Sequence, residues 1–92
     1  MKTCMIKITD PLGLHAKTAS MLVDEAAKYD STIYAKYENR VINLKSIMGT
    51  IAAGIPTKAV VKVSADGLDE EDALKAIVAI FIKQEIGEPI EE

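Results

Sequence analysis

Cys4, Ile6 and Ile8 alternate with Thr3, Lys7 and Thr9, a period of two that predicts a strand with one buried face; Met5 interrupts its polar side. The cluster Asp10-Pro11-Leu12-Gly13 then reads as a turn. From Ala19 the period lengthens, and Ala19, Leu22, Val23, Ala26 and Tyr29 share one side of a helix. Residues 31–37 predict a strand with Ile33, Ala35 and Tyr37 on one face, and 40–43 a short returning strand after a tight turn at Glu38-Asn39. Ser46 precedes a short helical segment, 47–53, stopped by Gly54 and Pro56. The clearest strand is 59–65, with Val61, Val63 and Ala65 facing one way, and Asp66-Gly67 turns the chain after it. The longest helix follows, with Ala73, Leu74, Ile77, Ile80 and Phe81 in one stripe. Asp69 and Asp72, three residues apart, form a weak variant of a capping box at its start.

The predicted order is therefore βαββαβα. Four alternating strands and two long amphipathic helices predict an α+β, open-faced two-layer sandwich: a four-stranded antiparallel sheet covered on one face by helices. A chain of 92 residues suggests one domain, placed at 1–86, and its 49% apolar content suffices for a core. The end, "EIGEPIEE", reads as a frayed acidic tail, bounded at 87–92.

Composition narrows the function classes. The net charge is −3 with scattered basic residues, so the basic stripe that nucleic-acid binding needs is missing. The longest apolar run, 76–82, is far shorter than the roughly 20 residues that span a bilayer. The N-terminus lacks a signal-peptide pattern, and the single cysteine, Cys4, provides neither an internal disulfide nor a thiolate metal cluster. A reducing cytoplasm is the simplest compartment, and no cofactor or metal is expected.

The candidate chemistry lies in "GLHAKTAS", which holds the only histidine, His15. If His15 is the N-cap, the N–H groups of Ala16, Lys17 and Thr18 lack carbonyl partners within the helix. The positive end of the helix dipole adds to them, so an anion is welcome there. The same field disfavours imidazolium, and a neutral ring keeps a lone pair for nucleophilic attack. Such an imidazole suits attack on a phosphoryl group whose oxygens then rest on the free N–H groups, with Lys17 as a nearby positive charge and Gly13 allowing close approach. No carboxylate or cysteine lies near enough in sequence to make a triad or metal site, a spatial neighbour aside. A lone histidine at a helix start is also an ordinary cap or loop residue, so the residues alone reach only an anion or phosphoryl site.

Ser46 is an N-cap by position, and a phosphate there would add about two negative charges without unfolding the helix. The segment behind it is too short for Ile47, Met48 and Ile51 all to face the core. For each, core packing and an exposed docking patch both stay open.

Taken together, these motifs resemble a known family. "GLHAKTA" is similar to the Gly-Leu/Ile-His-Ala-Arg-Pro-Ala motif of HPr, the histidine-containing phosphocarrier of the sugar phosphotransferase system. "NLKSIMG", residues 43–49, resembles the regulatory-serine segment of Gram-positive-type members, at a matching interval. "SADGLDEEDAL" resembles the family's last strand and helix start. The resemblance implies phosphorylation of His15 on Nδ1 by Enzyme I, using phosphoenolpyruvate, and transfer onward to a sugar-specific Enzyme IIA. It implies a carrier in a relay, not an enzyme with turnover of its own. It further implies phosphorylation of Ser46 by HPr kinase/phosphorylase, binding of catabolite control protein A, and a docking surface that includes Ser20, Ile47, Met48 and Ile51. One departure stands out: the family's Arg-Pro is Lys17-Thr18 here, a point charge in place of a planar fork and a restored N–H in place of an imino ring. This bears on transfer rate and partner choice. It supports an alternative, an HPr-like regulatory protein acting mainly through Ser46 with weak transfer at His15.

Overall fold

Alternation in the first segment becomes β1 (Lys2–Ile8), and the lengthened period becomes α1 (Ala16–Ala26). Then come β2 (Thr32–Tyr37), β3 (Arg40–Asn43), α2 (Ile47–Ala52), β4 (Val60–Asp66), α3 (Glu70–Lys83) and β5 (Gly87–Ile90). The structure is a computed structural model and describes residues 1–91.

All strand pairs are antiparallel, and the sheet order is β3-β2-β4-β1-β5. Register follows the apolar pattern: Ile6 lies opposite Val61, Cys4 opposite Val63, and Ala35 opposite Val63 on the other side. A slip of one residue would turn each of these side chains to water, so burial fixes the pairing. The helices cover this face with Ala19, Leu22 and Ala26 from α1 and Ala73, Ile77 and Phe81 from α3, all fully buried. Each large aliphatic or aromatic side chain so buried contributes about 1.5–3 kcal/mol. The other face, bearing Thr3, Lys7, Thr32, Lys36 and Lys62, is exposed. This is the α+β open-faced sandwich. No helix is long and apolar enough to cross a membrane among the described residues.

Two expectations are corrected. The sheet has five strands, not four: Gly87–Ile90, expected in the frayed tail, pairs with β1, with Lys7 opposite Glu88 and Met5 opposite Ile90. As an edge strand it tolerates Pro89. Gly87 is required there because a Cβ would lie 2.8 Å from both Ile6 Cγ2 and the Lys7 carbonyl oxygen. Glu92, the last residue of the expected tail, lies outside the described residues. The second correction concerns Asp69, which is the N-cap of α3 but caps nothing with its side chain. Its carboxylate instead accepts the N–H groups of Asp30 and Ser31, each at 2.9 Å, and the Ser31 hydroxyl. It thereby ties the loop after α1 to the start of α3.

Candidate functional site

The loop that delivers His15 is fixed by backbone contacts. The Gly13 N–H donates to the Asp10 carbonyl at 2.9 Å, closing the turn, and Gly13 adopts φ +70°. A Cβ at Gly13 would stand 2.3 Å from the Ile55 carbonyl oxygen, so the loop is pressed against the chain leaving α2. The Leu14 N–H donates to that same carbonyl at 2.9 Å, and Leu14 is buried. His15 therefore enters α1 from an anchored loop.

His15 is the N-cap, with extended backbone (φ −127°, ψ −174°), and its carbonyl accepts the Ala19 N–H at 2.8 Å. Thr18 is buried, and its hydroxyl accepts the His15 N–H at 3.0 Å and reaches the His15 carbonyl at 3.2 Å. This is half of a capping box. The other half brings the His15 side chain toward the Thr18 N–H without closing a side-chain hydrogen bond. Among the residues expected to hold phosphate, Ala16 and Lys17 are exposed, whereas Thr18 commits its hydroxyl to the backbone and has only its N–H to offer. Ser20 is half-buried further along α1.

Sequence reasoning missed one neighbour. The Asp10 carboxylate Oδ1 lies 3.6 Å from His15 Nε2, with the His15 and Asp10 side chains 31% and 18% exposed. An open depression brings Asp10, Leu12, His15, Lys17, Met21 and Gln84 together. Asp10 was visible only as a turn residue. The turn itself, at an Asp-Pro five residues before the histidine, was the one available signal that the chain folds back.

Ser46 is the N-cap of α2, and its side chain accepts the Gly49 N–H at 3.0 Å. Thr50 is the only buried residue of that helix; its hydroxyl donates to the Ser46 carbonyl at 2.7 Å. Ile47, Met48 and Ile51 are 40%, 74% and 37% exposed, so all three lie outside the core. The choice left open by the sequence thus falls to surface placement for each of them. α2 packs against α1, so the histidine and the serine belong to neighbouring elements.

The family described as the PTS HPr component phosphorylation site matches residues 2–83. A histidine-containing phosphocarrier protein from Mycoplasma is 38% identical, aligned over 92% of this chain and 97% of its own, with a TM-score of 0.90. HPr from Thermoanaerobacter tengcongensis is 43% identical over 91% of this chain and 93% of its own, with a TM-score of 0.84. The catabolite repression protein Crh of Bacillus subtilis is 30% identical over 87% of this chain and 91% of its own, with a TM-score of 0.71. With the fold, the helix-start histidine and the family match in agreement, the chain belongs to the HPr family of histidine-containing phosphocarrier proteins.

Proposed function

We propose that this HPr-family protein accepts a phosphoryl group on His15 from Enzyme I, charged by phosphoenolpyruvate, and passes it to a sugar-specific Enzyme IIA in the cytoplasm. The observation that supports this best is the part-exposed His15 ring at the N-terminus of α1, beside exposed Lys17. The lone pair of Nδ1 attacks phosphorus. The N–P bond forms as the donor's bond to phosphorus breaks, and the leaving group keeps the electron pair. The first-turn N–H groups of Ala16, Lys17 and Thr18 then receive the phosphoryl oxygens, with the Lys17 ammonium as counter-charge. Transfer to Enzyme IIA runs the same exchange in the other direction, so the chain acts as a carrier and not as an enzyme.

Ile47, Met48 and Ile51, with Ser20, would supply the surface on which these partners dock. Ser46 would be the target of HPr kinase/phosphorylase, and its phosphorylated form would favour catabolite control protein A. A second reading, a regulatory protein working mainly through Ser46, draws support from Lys17-Thr18 and from the likeness to Crh.

Labelled phosphoenolpyruvate with Enzyme I separates these readings. The expected result is acid-labile label on the wild type and none on His15→Ala. Acid-stable label, or label that survives His15→Ala, would sink the phosphocarrier assignment.

A further inference from the structure

We propose that Asp10 is a positioning residue for His15: its carboxylate holds the proton-bearing Nε2 and so leaves Nδ1, on the helix side of the ring, as the nucleophile. The inference rests on the phosphocarrier reading of His15 and adds a residue to it.

Asp10 is the only carboxylate within ion-pair distance of His15 among the described residues. It is also held in place. Its N–H donates to the Ile86 carbonyl at 3.1 Å, its carbonyl accepts the Gly13 N–H at 2.9 Å, and its Oδ1 accepts the Leu12 N–H at 2.9 Å. These contacts restrain the carboxylate more than a freely solvated side chain would be restrained. The His15 side chain also has capping geometry toward the Thr18 N–H at the start of α1. The imidazole thus has a restrained carboxylate at Nε2 and the start of α1 beside it.

The chemistry follows from what each group can accept. A neutral imidazole has one N–H and one lone pair, and a carboxylate only accepts. The nitrogen that faces Asp10 keeps the proton, which places the lone pair on Nδ1. At 3.6 Å the contact is longer than a hydrogen bond, and contacts of this kind tighten in the reacting complex. When the N–P bond forms at Nδ1, the donor's bond to phosphorus breaks and its leaving group takes the electron pair. The proton stays on Nε2 and the ring becomes cationic. The carboxylate then faces that positive charge directly, while the phosphoryl oxygens lie across the ring. The charge of those oxygens is offset on their own side by the first-turn N–H groups and the Lys17 ammonium. This is the role that an aspartate plays behind the histidine of a Ser-His-Asp triad.

The test uses the full chain, with Asp10→Asn and Asp10→Ala beside the wild type. Asparagine keeps an acceptor for the Leu12 N–H and removes the charge, so it decides the matter even if the alanine variant loses its fold by circular dichroism. Two readouts are taken: long-range proton–nitrogen NMR spectra of the His15 ring on the protein alone, and the rate of phosphoryl acceptance from Enzyme I and phosphoenolpyruvate. The wild type should show an Nε2–H signal protected from solvent exchange, lost in Asp10→Ala. Acceptance should slow about tenfold in Asp10→Asn and further in Asp10→Ala, the scale seen when carboxylates that orient metal-bound histidines are removed. Unchanged rates overturn the proposal. So does slower acceptance with the Nε2–H signal unaltered, because Asp10 would then act on something other than the ring. A wild type that takes no phosphate from Enzyme I overturns the phosphocarrier reading instead, and the ring spectra then decide on Asp10 by themselves.

Discussion

Thr18 has a role that the chain order alone does not show: its side chain secures the backbone of His15. Removing the hydroxyl while keeping the shape, as in Thr18→Val, leaves the His15 N–H without its partner. A loss of about 1 kcal/mol is expected, read as a lower urea midpoint with an unchanged slope. In the proposed relay Lys17 would work by charge alone. Lys17→Arg should raise the rate of acceptance from Enzyme I about fivefold, the worth of one further charge-assisted contact of roughly 1 kcal/mol. An unchanged rate would mean that Lys17 already suits its own partners. Restoring Arg-Pro as a pair should gain less than Lys17→Arg, since proline also removes the hydroxyl that holds His15. Gly13 is a sharper case. Its φ of +70° and the Ile55 carbonyl 2.3 Å from any Cβ penalise every side chain, so Gly13→Ala should cost about 2–4 kcal/mol.

Among the elements, β5 and the Asp69 contact depend on tertiary context. Deleting residues 87–92 removes the strand pairing along β1 and should destabilise the fold by about 2–4 kcal/mol in urea unfolding. The Ser31 hydroxyl, and after it the Asp30 N–H, hold the Asp69 carboxyl below the usual aspartate range. Its folded value is thus below its unfolded value. The stability it contributes is complete above about pH 4 and is lost as pH falls through the folded value. The stability gap between wild type and Asp69→Asn should therefore hold steady near neutrality and close in acid below about pH 4, by denaturant titration at each pH. A gap that persists undiminished there would contradict it. The first four strands were legible because one buried face imposes alternation on β1, β2 and β4. The strand β5 was not, because glycine and proline make up half of "GEPI" and only its backbone pairing marks it. Asp69 was read as a local cap because its true partners, Asp30 and Ser31, lie 39 and 38 residues away.

Across the molecule, the two phosphorylation candidates share a frame. The loop before His15 rests on Ile55, just past α2, and α1 packs on α2. A charge at Ser46 would enter beside Ile47 and Met48, where the proposed partners would dock, and the N-cap would tolerate it. Ser46→Asp should lower acceptance at His15 about fivefold, equivalent to roughly 1 kcal/mol of repulsion at the approaching surface, with an unchanged far-UV circular dichroism spectrum. Equal rates would show the sites to be uncoupled. His15, Lys17 and Ser46 were legible because each belongs to a local motif at a helix start. Asp10 was not, because it reaches the ring only through the turn closed by Gly13, and the exposure of Ile51 depends on which face of α2 Thr50 anchors. The most direct measurement is phosphorus NMR of the chain charged by Enzyme I and phosphoenolpyruvate, before and after Enzyme IIA is added. A phosphohistidine signal coupled to Nδ1 of His15 should appear and then vanish as Enzyme IIA takes the group. A signal on another residue, or one that Enzyme IIA leaves in place, would contradict a relay through His15.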